Sequence, residues 1–256
     1  MPKPNPIILC FGDSWTYGNY QGLQQHLQKK QLKVPIHRGG QYGTTARQYA
    51  NHQEELPRWV SQTRATHVLL SLGGNDLKNF YFREGRYTSL PSTATTLIKK
   101  DLNTILDALY LQHPNVKVVM YGYDFLGSAE EFIINDKAPR SGLYRTLYRW
   151  IGIPITNMVA SSLSKTLSSL EKEYTQKGHH FTYVPLWGTL QHVIEEEEED
   201  DKKRGYSYWK HSATEYMQDP IHANSKGFSV LMGKLYKEYF VRELETQQQD
   251  GGELKT

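Results

Sequence analysis

The stretch His67-Val68-Leu69-Leu70-Ser71-Leu72, closed by Gly73-Gly74-Asn75-Asp76, decides the fold class. A strand with one wet face alternates apolar and polar residues, because successive side chains point to opposite sides. This run is almost continuously apolar, as expected of a strand covered on both faces in a parallel sheet. Its glycine-rich end is a strong turn signal.

Comparable runs lie on either side. Ile7 to Phe11 stops abruptly at Gly12-Asp13-Ser14, and Leu32 to His37 runs into Gly39-Gly40 and Gly43. Further along, Val116 to Tyr121 and Phe181 to Val184 read as a fourth and fifth strand. Helical patterns separate them. One runs from about Gln21 to Lys30, and another follows Gly43 as far as Trp59. From Ala94 to Leu111, the residues Leu97, Ile98, Leu102, Ile105, Leu106 and Leu109 form one apolar stripe. A long helical region spans Leu143 to Tyr174 with an interruption expected near Pro154, and a last helix spans Asn224 to Glu243. Strands alternating with helices predict an α/β protein: a three-layer α/β/α sandwich of about five parallel strands flanked by helices. Residues 1–246 read as one domain, with 187–218 an acidic insertion or lid-like loop and 247–256 a polar tail.

Composition narrows the function classes. A net charge of +3 with scattered basic residues gives no electrostatic footprint for nucleic acid. No apolar stretch approaches the roughly 18 residues of a membrane span, and no secretory leader precedes the first strand, so a cytoplasmic location is expected. The single cysteine, Cys10, sits in the first apolar run and reads as a buried hydrophobe. Seven consecutive acids, Glu195 to Asp201, read as a solvated segment, since a run of like charges supplies no ligand geometry.

The chemistry-bearing residues fall where a parallel sheet would gather them. Ligands of such sheets bind beyond the carboxyl ends of the strands. Ser14, Gly43 and Asn75 each follow one of the first three strands, and Asp219-Pro220-Ile221-His222 precedes the last helix. A nucleophilic serine needs a base, and the base needs an acid to orient it. Asp219 and His222 are three apart, so a single turn can set carboxylate beside imidazole. The N–H groups of Ser14 and Gly43 and the Asn75 amide suit a developing oxyanion. Each motif alone is an ordinary turn; their order and placement are the signal. Asp13 and Asp76 read as loop-pinning hydrogen bonders, not as second acids.

These blocks resemble those of the SGNH (GDSL-like) hydrolases. Gly12-Asp13-Ser14-Trp15-Thr16-Tyr17-Gly18 is similar to the family's GDSxTxG pattern, with Trp15 where leucine often stands. Gly73-Gly74-Asn75-Asp76 resembles GxND, and Asp219 to His222 resembles DxxH before a helix. The second block is looser: Gly40-Gln41-Tyr42-Gly43-Thr44-Thr45 favours Gly43 as the oxyanion donor, with Gly40 the alternative. The resemblance spans Ile7 to Gly227 and implies a flavodoxin-like sandwich and a serine esterase or lipase. Its triad would be Ser14, Asp219 and His222, its oxyanion hole Ser14, Gly43 and Asn75, with no metal or cofactor. The expected substrate is a small-molecule or carbohydrate ester, on the pattern of a carbohydrate O-acetyl esterase or a short-chain esterase. An acyltransferase using the same acyl-enzyme, and a non-catalytic binding module on the same fold, are the alternatives. The aromatics of 78–92 and 187–218 are candidates to line the pocket.

Overall fold

The computed structural model describes residues 5–86, 89–124, 142–190, 214–218 and 222–245. Five parallel strands form one sheet: β1 (Ile8–Gly12), β2 (Ile36–Arg38), β3 (His67–Ser71), β4 (Lys117–Tyr121) and β5 (Phe181–Val184). Their order is β2-β1-β3-β4-β5. Seven α-helices among the described residues accompany them: α1 (Trp15–Lys29), α2 (Ala46–Asn51), α3 (Glu55–Thr63), α4 (Gly74–Lys78), α5 (Pro91–Gln112), α6 (Gly142–Gln176) and α7 (Ser225–Leu235). The fold is the expected α/β sandwich. β1 and β3 are buried at every position, which is why their sequences lack alternation.

This strand order places a topological switch between β1 and β3, where the chain winds first toward β2 and then toward β5. Ligand crevices of doubly wound sheets open at such a point. Register fixes which residues share the rim: Gly12 pairs with Ser71, Cys10 with Arg38, and Leu70 with Met120. The exits of β1, β2 and β3 therefore meet.

Several boundaries differ from those the sequence predicts, and the helical stretch after Gly43 is two helices, α2 and α3, parted by a turn at 52–54. α1 begins at Trp15, not Gln21, because Gly18 and Gly22 are accommodated within it by close helix packing. β2 is confined to Ile36–Arg38, since Pro35 has no N–H to offer a ladder. α6 continues through Pro154, whose one missing donor does not end a helix of 35 residues. The last helix changes to π-type hydrogen bonding after Leu235, over Tyr236–Glu245. The acidic run 195–201 and the tail 247–256 lie outside the described residues. No helix among the described residues is long and apolar enough to cross a membrane.

Candidate active site

Ser14 sits two residues beyond β1, at the first turn of α1. A serine at a helix start ordinarily accepts a hydrogen bond from a backbone N–H one turn in. Ser14 makes no such bond, and its own backbone is already helical at φ −60° and ψ −28°. Capping falls instead to Asp13, whose Oδ1 accepts from the Trp15 N–H at 3.0 Å. The Ser14 hydroxyl is thereby left for another partner. Its Oγ lies 2.8 Å from His222 Nε2, across 208 residues of sequence.

His222 owes its place to the turn before α7. Met217 and Ala223 form an antiparallel bridge, and the Gln218 N–H donates to the His222 carbonyl at 2.9 Å. Asn224 then caps α7, its Oδ1 accepting from the Gly227 N–H at 3.0 Å. Asp219, the expected acid partner, lies outside the described residues, as do Pro220 and Ile221.

Close helix contact brings the two segments together. A Cβ on Gly18 would fall 2.2 Å from the Phe228 ring, and one on Gly22 would fall 2.8 Å from the Phe228 carbonyl oxygen. Only hydrogen at these two positions lets α7 lie against α1 at this separation. Phe228 also meets Trp15 edge-on at 5.4 Å, and Trp15 meets Tyr123 at 4.9 Å.

Buried carboxylates tie the strand exits. Asp13 Oδ1 also accepts from the Ser71 hydroxyl at 3.1 Å, and Oδ2 accepts from the Tyr123 hydroxyl. Tyr123 in turn accepts from the Gly74 N–H at 2.9 Å. One carboxylate thus links the ends of β1, β3 and β4. Burial pushes Asp13 up to about 6, against the lowering effect of these donors and of nearby His222. Asp76 accepts from the N–H groups of Ala46 at 2.7 Å and Arg47 at 3.2 Å, the first turn of α2. It too is pushed up to about 6 by burial. The loop-pinning reading of both aspartates matches these bonds. Beside Asp76, the Asn75 amide donates to the Thr44 carbonyl at 3.1 Å, so the β3 exit holds the β2 exit at two points.

The two glycines of that β2 loop differ. A Cβ on Gly40 would sit 2.2 Å from the Gly12 carbonyl oxygen, so Gly40 is required by close strand-end packing. Gly43, at φ +74°, would meet nothing within 4 Å. Its side-chain direction faces open space.

The GDSL-like Lipase/Acylhydrolase family profile matches residues 8–233, nearly the whole chain. The chain belongs to this family. It is an ester hydrolase of the GDSL-like class. No curated protein matches the sequence significantly. Among solved structures, the acetyl xylan esterase AlAXEase is similar at TM-score 0.55 and 16% identity, over 91% of this chain and 99% of that one. A carbohydrate esterase family 3 protein from Talaromyces cellulolyticus is similar at TM-score 0.58 and 13% identity, over 95% and 99%. An acetyl esterase solved with acetate ion gives TM-score 0.57 at 13% identity, over 95% and 99%. At such identities the likeness concerns the fold alone.

In this GDSL-like hydrolase a groove of about 320 Å³ reaches both Ser14 and His222. The aromatic stretches 78–92 and 187–218 are the walls that the sequence suggests for it. Phe80 and Tyr81, however, are buried in a satellite cluster with Ala94 and Val159 and do not line the groove. Tyr206, Tyr208 and Trp209 lie outside the described residues. The lining comes from α1 itself, through Tyr17, Gln21 and Gln25, together with Tyr42, Gln218 and Ser225. A signal was available: counting from Ser14 by 3.6 residues per turn reaches Tyr17 or Gly18, then Gln21, then Gln25. Cys10 is buried, with its thiol pushed up to about 12, as its place in a strand implied.

Proposed function

We propose that the protein cleaves carboxylic esters through an acyl-serine intermediate, with Ser14 as nucleophile, His222 as general base and Asp219 as the acid that orients it. The carrying observation is the 2.8 Å separation of Ser14 Oγ and His222 Nε2. As Oγ attacks the ester carbonyl carbon, its proton passes to His222. The tetrahedral oxyanion is met by the N–H groups of Ser14 and Gly43 and by the second N–H of the Asn75 amide, the first being spent on Thr44. When the carbon–oxygen bond to the alcohol breaks, His222 returns the proton to the leaving oxygen. Water, activated by the same imidazole, then releases the acid. Gly43 is preferred to Gly40 as the donor on the G-x-x-G-x-T spacing of Gly40 to Thr45.

A fluorophosphonate probe tests this reading. The native protein should be labelled and Ser14→Ala should not, while Asn75→Ala should lose roughly 10²–10³ in kcat as one oxyanion donor is removed. Labelling that persists in Ser14→Ala would sink the assignment.

A further inference from the structure

We propose that the groove along α1 is the subsite for the alcohol half of the ester, and that it selects neutral polyhydroxylated alcohols, such as a sugar ring, through the amides of Gln21 and Gln25. This rests on the roles given above to Ser14 and His222.

Position assigns the groove to the alcohol. The leaving oxygen must take its proton from His222, so the alcohol must depart on the imidazole side of Ser14. The groove lies there, lined by Ser14, by His222 and by residues from both sides of His222 in sequence, Gln218 and Ser225. Gly43 and Asn75, the oxyanion side, do not line it. A volume of about 320 Å³ is at the small end of ligand pockets (roughly 300–1,000 Å³) and accommodates one ring.

Chemistry assigns the class of alcohol. Three amides (Gln21, Gln25 and Gln218), the Ser225 hydroxyl and two phenols (Tyr17 and Tyr42) line this space beside the apolar Ala223 and Phe228, and no Asp, Glu, Lys or Arg does among the described residues. An amide both donates and accepts, as does each hydroxyl of a sugar. A phosphate or carboxylate would call for cationic forks, and an alkyl chain for aliphatic walls. Arg38 lies 4.7 Å over the Tyr17 ring and is not part of the lining. Tyr17 and Tyr42, 41% and 65% exposed with ring centroids 6.2 Å apart, offer broad aromatic surface for the C–H face of a ring. Gln21 and Gln25 are one helical turn apart on an exposed face of α1, so both can reach a single bound ring.

Three esters with the same acyl group separate the possibilities: methyl glucoside bearing one acetyl group, cyclohexyl acetate of the same ring size, and an O-acetylated glucuronic acid. The wild-type protein should favour the glucoside over both others in kcat/KM by tenfold or more. Gln21→Leu should reduce the glucoside-to-cyclohexyl ratio about fivefold and the double variant with Gln25→Leu tenfold or more, through KM, as neutral hydrogen bonds are lost. Gln28→Leu, on α1 but outside the groove, should leave the ratio unchanged. Calorimetric titration of the glucoside ester into Ser14→Ala, with and without the leucine substitutions, reads the subsite without turnover and should show the same order. A ratio or affinity indifferent to both leucines overturns the proposal, and so does a preference for the uronic ester. If the wild-type protein turns over none of the three and the fluorophosphonate also fails to label Ser14, the acyl-serine reading fails, while the titration still decides whether the sugar ester lies on Gln21 and Gln25.

Discussion

A carboxylate only 4% exposed and enclosed by strand ends, as Asp13 is, must be held by donors or give up its charge. Asp13 has three donors, from Trp15, Ser71 and Tyr123, and burial still raises it from its ordinary 3.8 to about 6. The folded state therefore binds this proton more tightly than the unfolded chain. A raised acid contributes most to stability below 3.8, and that contribution is lost as pH rises through about 6. The full swing is on the order of 3 kcal/mol. Asp13→Asn keeps an acceptor for Trp15 and Ser71 but cannot ionise. Its unfolding free energy, measured by urea titration at several pH values, should fall less steeply than wild type between pH 4 and 6. Turnover should drop as well, because the Tyr123 hydroxyl, already accepting from Gly74, must then reorient at the rim. An unchanged slope would mean that Asp13 does not titrate in the fold in this range.

At the scale of elements, the encounter of nucleophile and base is set by how closely α7 lies on α1. Gly18→Ala would put a methyl 2.2 Å from the Phe228 ring, so the ring or the helix must yield. Because His222 is three residues before α7, the expected result is a kcat loss of tenfold or more. Trimming the obstruction should restore part of it. Gly18→Ala with Phe228→Leu should be more active than Gly18→Ala alone, a coupling that a double-mutant cycle of kcat measures. Additive losses would deny the contact its role. Much of this was legible in sequence. The uninterrupted apolar run of β3 and the glycine breaks after β1, β2 and β3 announce a parallel sheet with a polar rim; Ser14 and Asn75 stand at those breaks, and His222 in the separate Asp219 to His222 block before the last helix. Legibility failed where tertiary contact overrides local preference. Gly18 and Gly22 delayed the expected start of α1, although it is the approach of Phe228 and Met232 that makes glycine necessary there. Phe80 and Tyr81 were candidates for the pocket because aromatic content does not reveal which way a ring faces. The glutamines of the groove carry no distinctive pattern beyond their phase with Ser14.

For the molecule as a whole, the rim at the carboxyl ends of the strands has a counterpart at their amino ends. There His67 opens β3, Lys117 opens β4, and both meet Glu243 from the final π-helical segment. His67 Nε2 is 3.5 Å from Glu243 Oε2, while Lys117 donates to the same oxygen. Burial lowers the His67 pKa and so does the Lys117 charge, against the pull of Glu243. Burial alone would raise Glu243, yet Lys117 and His67 together bring it below its ordinary value. Both groups act in the same direction. A lowered histidine and a lowered glutamate each leave the folded state with fewer protons than the unfolded chain. Their stabilisation is present above 6.5 and 4.5 respectively, and is lost as pH falls through the folded values. This clamp ties the C-terminal segment to the sheet at the end remote from Ser14. Glu243→Gln keeps the shape but removes the charge that Lys117 pairs with and that His67 faces. It should cost about 1–2 kcal/mol of unfolding free energy at neutral pH, the scale of a lost charge-assisted hydrogen bond that is partly exposed. Its deficit relative to wild type should shrink as pH falls through the folded Glu243 value, where the native carboxylate is also neutralised. Activity per folded molecule should hold, since no strand exit is disturbed. A fall in kcat matching the loss of stability would instead mean that the two ends of the sheet are coupled through the strands.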